Sequence, residues 1–161
     1  YLQEISKPEY DAYTHVIMVD FDMTYGWSPV GVINSFQRTG WDVIAANGIF
    51  TRMGHMWDVF AFRTEELNEP YSSSKYGSIE NYWPVINTPA YQRIYRPGTP
   101  LVPVFSAFGG LCIYRKEILG SVSYDEKSED CEHVSLHAAI CARGGKIFMN
   151  PDMVIMFSHF R

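Results

Sequence analysis

Apolar residues in this chain gather in short runs divided by turn signals, and the sharpest run is Val16-Ile17-Met18-Val19. It predicts a buried strand over 15–20, parallel and covered on both faces, delivered by the end of a helix at 2–11. The run stops in Asp20-Phe21-Asp22. Alternate side chains of an extended backbone share a face, so Asp20 and Asp22 are expected to point together and Phe21 back into the protein. Tyr25-Gly26-Trp27 reads as a turn. Ser28 is then an N-cap and Pro29 a first helical residue, with Val30, Ile33 and Phe36 at helical spacing and Gly40 as the stop. Trp41 to Ala46 predicts a second strand closed by Asn47-Gly48, and the alternation over 57–62 predicts a third.

Residues 63–100 change character, becoming rich in Pro, Ser, Tyr and Asn while carrying Tyr82, Trp83, Tyr91 and Tyr95. They read as a long, partly helical loop region of the kind that often holds substrate. Leu101 to Ala107 predicts a strand that Pro100 and Pro103 push to a sheet edge. Gly109-Gly110 breaks it and Leu111 to Tyr114 resumes. A helix is expected from Glu129 to Arg143, ended by Gly144-Gly145, with short strands at 146–149 and 154–157. Strands alternating with helices give the class α/β.

Composition narrows the picture. A chain of 161 residues suits one domain with a real core, and 16% aromatic residues leave rings available for a ligand cleft. The net charge of −5, with no Lys/Arg cluster, argues against nucleic acid as the partner. No apolar stretch is long enough to cross a membrane. Cys112, Cys131 and Cys141 form no CxxC pair and no disulfide framework, which suits a reducing, cytoplasmic setting.

The chemistry begins with Asp20 and Asp22. Two carboxylates at a strand end ask for a cation, and a hard divalent ion often completes its oxygen shell with substrate phosphates. A second constellation, Ser128-Glu129-Asp130-Cys131-Glu132-His133, places acids at a helix start, where the helix dipole keeps them ionised and able to take a proton from a hydroxyl. The same residues also make a good helix cap. His133 and His137 have zinc-compatible i,i+4 spacing but lack a third ligand pattern. His159 follows the last apolar run and becomes a ligand only if that strand returns beside Asp22.

These pieces, in this order, resemble the GT-A glycosyltransferases, which use nucleotide-sugar donors. The resemblance rests on Val16–Asp22, on Phe108-Gly109-Gly110-Leu111-Cys112-Ile113-Tyr114-Arg115, on Glu129-Asp130-Cys131-Glu132, on Ala142–Ile147, on Asn150-Pro151-Asp152 and on His159. The Cys131-Glu132-His133 run also looks like glycosyltransferase domains of large algal viruses of the chlorovirus type, for which the setting would be the host cytoplasm. The resemblance implies a Rossmann-like, mixed but mainly parallel sheet flanked by helices. It implies a manganese or magnesium ion on Asp22, with Asp20 holding the donor ribose or a metal-bound water and His159 a further ligand. Gly109 and Gly110 would let backbone approach the donor sugar. Asp130 would be the general base of an inverting hexosyl transfer from a nucleoside-diphosphate sugar, UDP-sugars favoured, to a glycan or glycoprotein hydroxyl. Glu129 or Glu132 would orient that acceptor. The family's nucleotide-binding β-α-β unit lies upstream of its D-x-D, so residues 1–161 would form the catalytic and acceptor half, joined to an N-terminal segment outside this chain.

Two other readings compete. Val16–Thr24 fits the opening of haloacid-dehalogenase phosphohydrolases, with Asp20 as nucleophile and Asp22 as acid/base, but no G-D-x-x-x-D follows. A non-catalytic carbohydrate-binding domain would use the aromatic loop 71–95 as its platform.

Overall fold

The computed structural model describes residues 2–23, 25–51, 54–91 and 93–158, and it is α/β: an open, mixed, five-stranded sheet with helices on both faces. In chain order the elements are α1 (Leu2–Ile5), a 3-10 turn (Pro8–Tyr10), β1 (His15–Val19), α2 (Pro29–Gln37), β2 (Val43–Phe50), α3 (Ser73–Tyr76) and α4 (Ile79–Ile86). There follow β3 (Val102–Pro103), β4 (Leu111–Arg115), α5 (Lys116–Leu119), α6 (Glu132–Cys141) and β5 (Ile147–Phe157). Strand order is β1-β4-β2-β5-β3.

The expected mainly parallel sheet is not what forms. Only β2 and β5 are parallel neighbours; β4 runs antiparallel to both β1 and β2, and β3 antiparallel to β5. The cause is the Phe108–Gly110 turn, which returns the chain as β4 between β1 and β2. So β1 is not an interior strand covered on both faces. It occupies a sheet edge, paired only through Val19↔Leu111 to His15↔Arg115, with Ile17 exposed. Phe21, expected to point inward, is fully exposed.

Helix α2 starts as its sequence predicts, with the Ser28 hydroxyl accepting the Gly31 N–H and Pro29 in the first turn. Its orientation is the reverse of the apolar pattern. Gly31 and Ser35 face the sheet, and a Cβ on Gly31 would lie 2.4 Å from the Asp152 carbonyl oxygen. Close backbone approach has chosen the small residues, leaving Val30, Ile33 and Phe36 exposed.

Asn47-Gly48 does not close β2, which runs on to Phe50. Gly48 is there because a Cβ would sit 2.9 Å from the Gly109 carbonyl oxygen, a packing demand that imitates a turn signal. The two strands expected at 146–149 and 154–157 are one strand. Its pairing with β2 jumps from Ala46↔Asn150 to Asn47↔Val154, leaving residues 151–153 unmatched, where proline's missing donor costs nothing. An odd insertion flips the side-chain alternation, so Ile147 and Met149 join one core while Met153, Ile155 and Phe157 join the other.

The larger core gathers Val43, Ala45, Cys112 and Tyr114 of the sheet beneath Tyr82 and Ile86 of α4 and Leu136 and Ile140 of α6. Residues 57–62 make no strand; Asp58 instead caps a turn by accepting the Ala61 N–H. Within 101–107 Val102–Pro103 is the strand, at the edge that the prolines predict, while Ser106 makes an isolated bridge to Arg63. No described helix is long and apolar enough to cross a membrane.

Candidate functional site

Asp20 lies just beyond β1, and its N–H donates to the Gly110 carbonyl at 2.9 Å, so the acidic strand end is stitched to the glycine turn. Partial burial raises the Asp20 carboxyl to about 6, and the negative charges of Asp22, Asp58 and Glu132 push it the same way. Three elements therefore bring acids to one place: the end of β1, the turn at 58–61 and the first turn of α6.

The glycine turn is built from inside the fold. Gly109 and Gly110 have φ of +63° and +87°. A Cβ on Gly109 would meet the Ala46 carbonyl oxygen at 2.3 Å, and one on Gly110 the Phe157 ring at 2.7 Å. Their lack of side chains is thus demanded by β2 and β5. Beside them the Phe108 ring stacks on His133 with centroids 3.8 Å apart.

Asp58 anchors this turn. One carboxylate oxygen accepts the Gly109 N–H at 2.9 Å and the other the Ala61 N–H at 3.2 Å. Burial raises its pKa, opposed by those two hydrogen bonds and by the nearby His133. His133 is lowered by burial against the pull of Glu132 and Asp58, and its Nδ1 is buried without a hydrogen-bond partner among the described residues.

The acids expected at the α6 entry take three different positions. Asp130 is the partner of Arg63, accepting at 2.9 and 3.1 Å from one guanidinium nitrogen; the two side chains are 7% and 1% exposed. It also accepts the Cys131 N–H. Arg63 further donates to the Phe60 and Phe62 carbonyls and to the Tyr82 hydroxyl. An acid so enclosed holds the helix in place, and taking a proton there would break a buried ion pair. Glu129 accepts the Ser73 N–H at 2.7 Å and also the Ser73 hydroxyl, which lowers its pKa and ties the loop to the α6 entry. Only Glu132, with a side chain 70% exposed, faces outward near Asp20 and Asp58.

His137 belongs to the core. Its ring nitrogens lie 2.9 Å from the Ser106 and Tyr114 hydroxyls, and burial pulls its pKa down to about 3, so it is neutral. A His133–His137 zinc pair gains no third ligand: among the described residues no three His, Cys, Asp or Glu side chains gather to hold a metal. His159 lies outside the described residues. Asp20 and Asp22 lie close enough for their charges to interact, and paired carboxylates are the donor type that hard divalent ions take.

The aromatic platform expected over 71–95 is largely core. Tyr82 and Tyr91 are buried, and Trp83 alone of the four is exposed. Asp58 and Arg63 were missed from sequence. Asp58 is an isolated charge within the apolar stretch 56–62 and Arg63 closes that stretch; such a charge, once buried, needs a specific partner.

No protein-family model matches the chain, and no curated protein is significantly similar to it in sequence.

Proposed function

We propose that the chain is the catalytic part of a metal-dependent GT-A glycosyltransferase, moving a hexose from a nucleoside-diphosphate sugar to a glycan hydroxyl with inversion. The observation that carries this reading is the crowding of Asp20 by Asp22, Asp58 and Glu132, whose charges add to partial burial in raising its carboxyl to about 6. Such a concentration of negative charge favours a cation, and it lies against a glycine turn. Asp22 and Asp20 would hold manganese or magnesium, whose chemistry when bound is neutralisation of the departing diphosphate.

The chain's own residues divide the remaining work. Glu132 is the base: its carboxylate accepts the proton of the acceptor hydroxyl, whose oxygen forms a bond to the anomeric carbon as the bond to the diphosphate breaks. Asp130, Arg63 and Tyr82 fix the start of α6 and so the reach of Glu132. The free edge of β1, an uncharged Val-Ile-Met-Val strand without proline or bulge, supports pairing with an upstream nucleotide-binding unit, since exposed edges of that composition are normally avoided.

The base assignment is tested with Glu132→Gln and Asp130→Asn, assaying UDP release from UDP-sugars with manganese and a glycan acceptor. Glu132→Gln is expected to keep its fold and lose turnover, while Asp130→Asn retains turnover at temperatures where it remains folded. The reverse result returns the base to Asp130. A screen of nucleotide sugars by thermal shift would identify the donor, because a ligand binding only the folded state raises its melting temperature.

A further inference from the structure

We propose that Asp58 is the positioning residue of this cleft: its carboxylate clamps the Gly109–Gly110 turn, and the turn in turn sets the backbone of Asp20. The path is continuous. Asp58 Oδ1 receives the Ala61 N–H and Oδ2 the Gly109 N–H, at 3.2 and 2.9 Å. Gly110 then offers its carbonyl to the Asp20 N–H at 2.9 Å. The Phe108 carbonyl accepts from Leu111 at 3.3 Å, closing the turn.

The opposite side of the turn is rigid. Gly109 lies against the Ala46 carbonyl and the Gly48 backbone of β2 so tightly that neither glycine has room for a methyl group. The turn is therefore held between a strand and one carboxylate, and Asp58 is the side chain that can release it. Each oxygen of the Asp58 side chain accepts one backbone N–H, so the one residue ties the turn at 58–61 to the glycine turn. Gly109 and Gly110 also have positive φ, which only a glycine pair adopts without strain, so the turn is one that the surrounding contacts must maintain. Asp58 also lies close enough to Asp20 and Glu132 for their charges to interact, which places the clamp within the cleft.

The inference rests on the glycosyltransferase reading for its consequence but not for its geometry, and the test separates the two. Asp58→Leu is nearly isosteric and removes both acceptor oxygens. In the ligand-free protein, amide hydrogen exchange should become about tenfold faster at Gly109, and the Asp20 amide should accelerate with it. Acceleration at Gly109 without any at Asp20 would overturn the relay; no acceleration at Gly109 would overturn the clamp. A merely local structural role would leave Asp20 unmoved. Should the variant fail to fold, scalar coupling across the hydrogen bond between the Gly109 nitrogen and the Asp58 carboxyl carbon in the wild-type protein decides the clamp by its presence or absence. In the activity assay, Asp58→Leu should raise the manganese concentration for half-maximal UDP release from UDP-glucose about tenfold; an unchanged value in a folded variant would overturn the positioning role. If the wild-type protein releases no UDP under any manganese concentration, the transferase reading fails, while the exchange measurements still judge the clamp.

Discussion

Replacing Asp130 with asparagine should destabilise the protein strongly, because it removes the charge that Arg63 needs. Arg63 is 1% exposed and Asp130 7%, so water cannot take over the lost interaction. The guanidinium would keep its bonds to the Phe60 and Phe62 carbonyls and the Tyr82 hydroxyl, but none of these is charged. Breaking a buried ion pair from one side typically costs about 3–5 kcal/mol. For a chain of this size each kcal/mol moves the melting temperature by about 2–4 °C, so a fall of roughly 6–20 °C is expected. Urea unfolding followed by circular dichroism measures the energy, with Glu132→Gln as the control. Glu132 is 70% exposed and its substitution should stay within about 0.5 kcal/mol of wild type. The double variant Arg63→Met/Asp130→Leu should recover part of the loss, since an apolar pair leaves no buried charge unmatched. An Asp130→Asn protein within about 1 kcal/mol of wild type would refute the buried-pair argument, and with it the reason for moving the base to Glu132.

Other expectations follow from the same geometry. Asp20 should titrate near pH 6 by carboxyl NMR in the metal-free protein. Because its folded pKa lies above the unfolded value of 3.8, its contribution to stability falls as pH rises between about 4 and 6, and Asp20→Asn should remove that slope. His137 works in the opposite direction. Its folded pKa of about 3 lies below 6.5, so stability falls as pH drops from 6.5 towards 3, and His137→Phe should flatten that part of the profile. Gly109→Ala combines a φ of +63° with a 2.3 Å clash on the Ala46 carbonyl, and should lose well over about 1 kcal/mol in urea unfolding.

The legible parts of the fold were those set by local rules. Ser28-Pro29 marked the start of α2, Gly144 the stop after α6, and Pro100 and Pro103 the edge position of β3. Long-range packing erased other signals. Gly48 looked like a turn but serves a backbone contact with Gly109, and Val30, Ile33 and Phe36 looked like a buried face while Gly31 and Ser35 do the packing. Strand direction was beyond the pattern altogether, since the Val16–Val19 run is equally apolar at an antiparallel edge and in a parallel interior. At the candidate site, Asp20, Asp22, Glu132 and the glycine pair stand out because each sits in a short motif, although the motif makes Asp130 the base and Glu132 an acceptor-orienting residue. Asp58 and Arg63 could not, because their partners Gly109 and Asp130 lie far along the chain and only the fold brings them together.

If the acids beyond β1 hold a cation, Asp22 is the carboxylate on which that cation depends first. The measurement is UDP release from a UDP-sugar, with a glycan acceptor, as manganese is varied, comparing wild type with Asp22→Ala. Wild type should release UDP only as manganese is supplied, and a folded Asp22→Ala should release none. Release that persists in Asp22→Ala, or that is indifferent to manganese, would contradict that cation site.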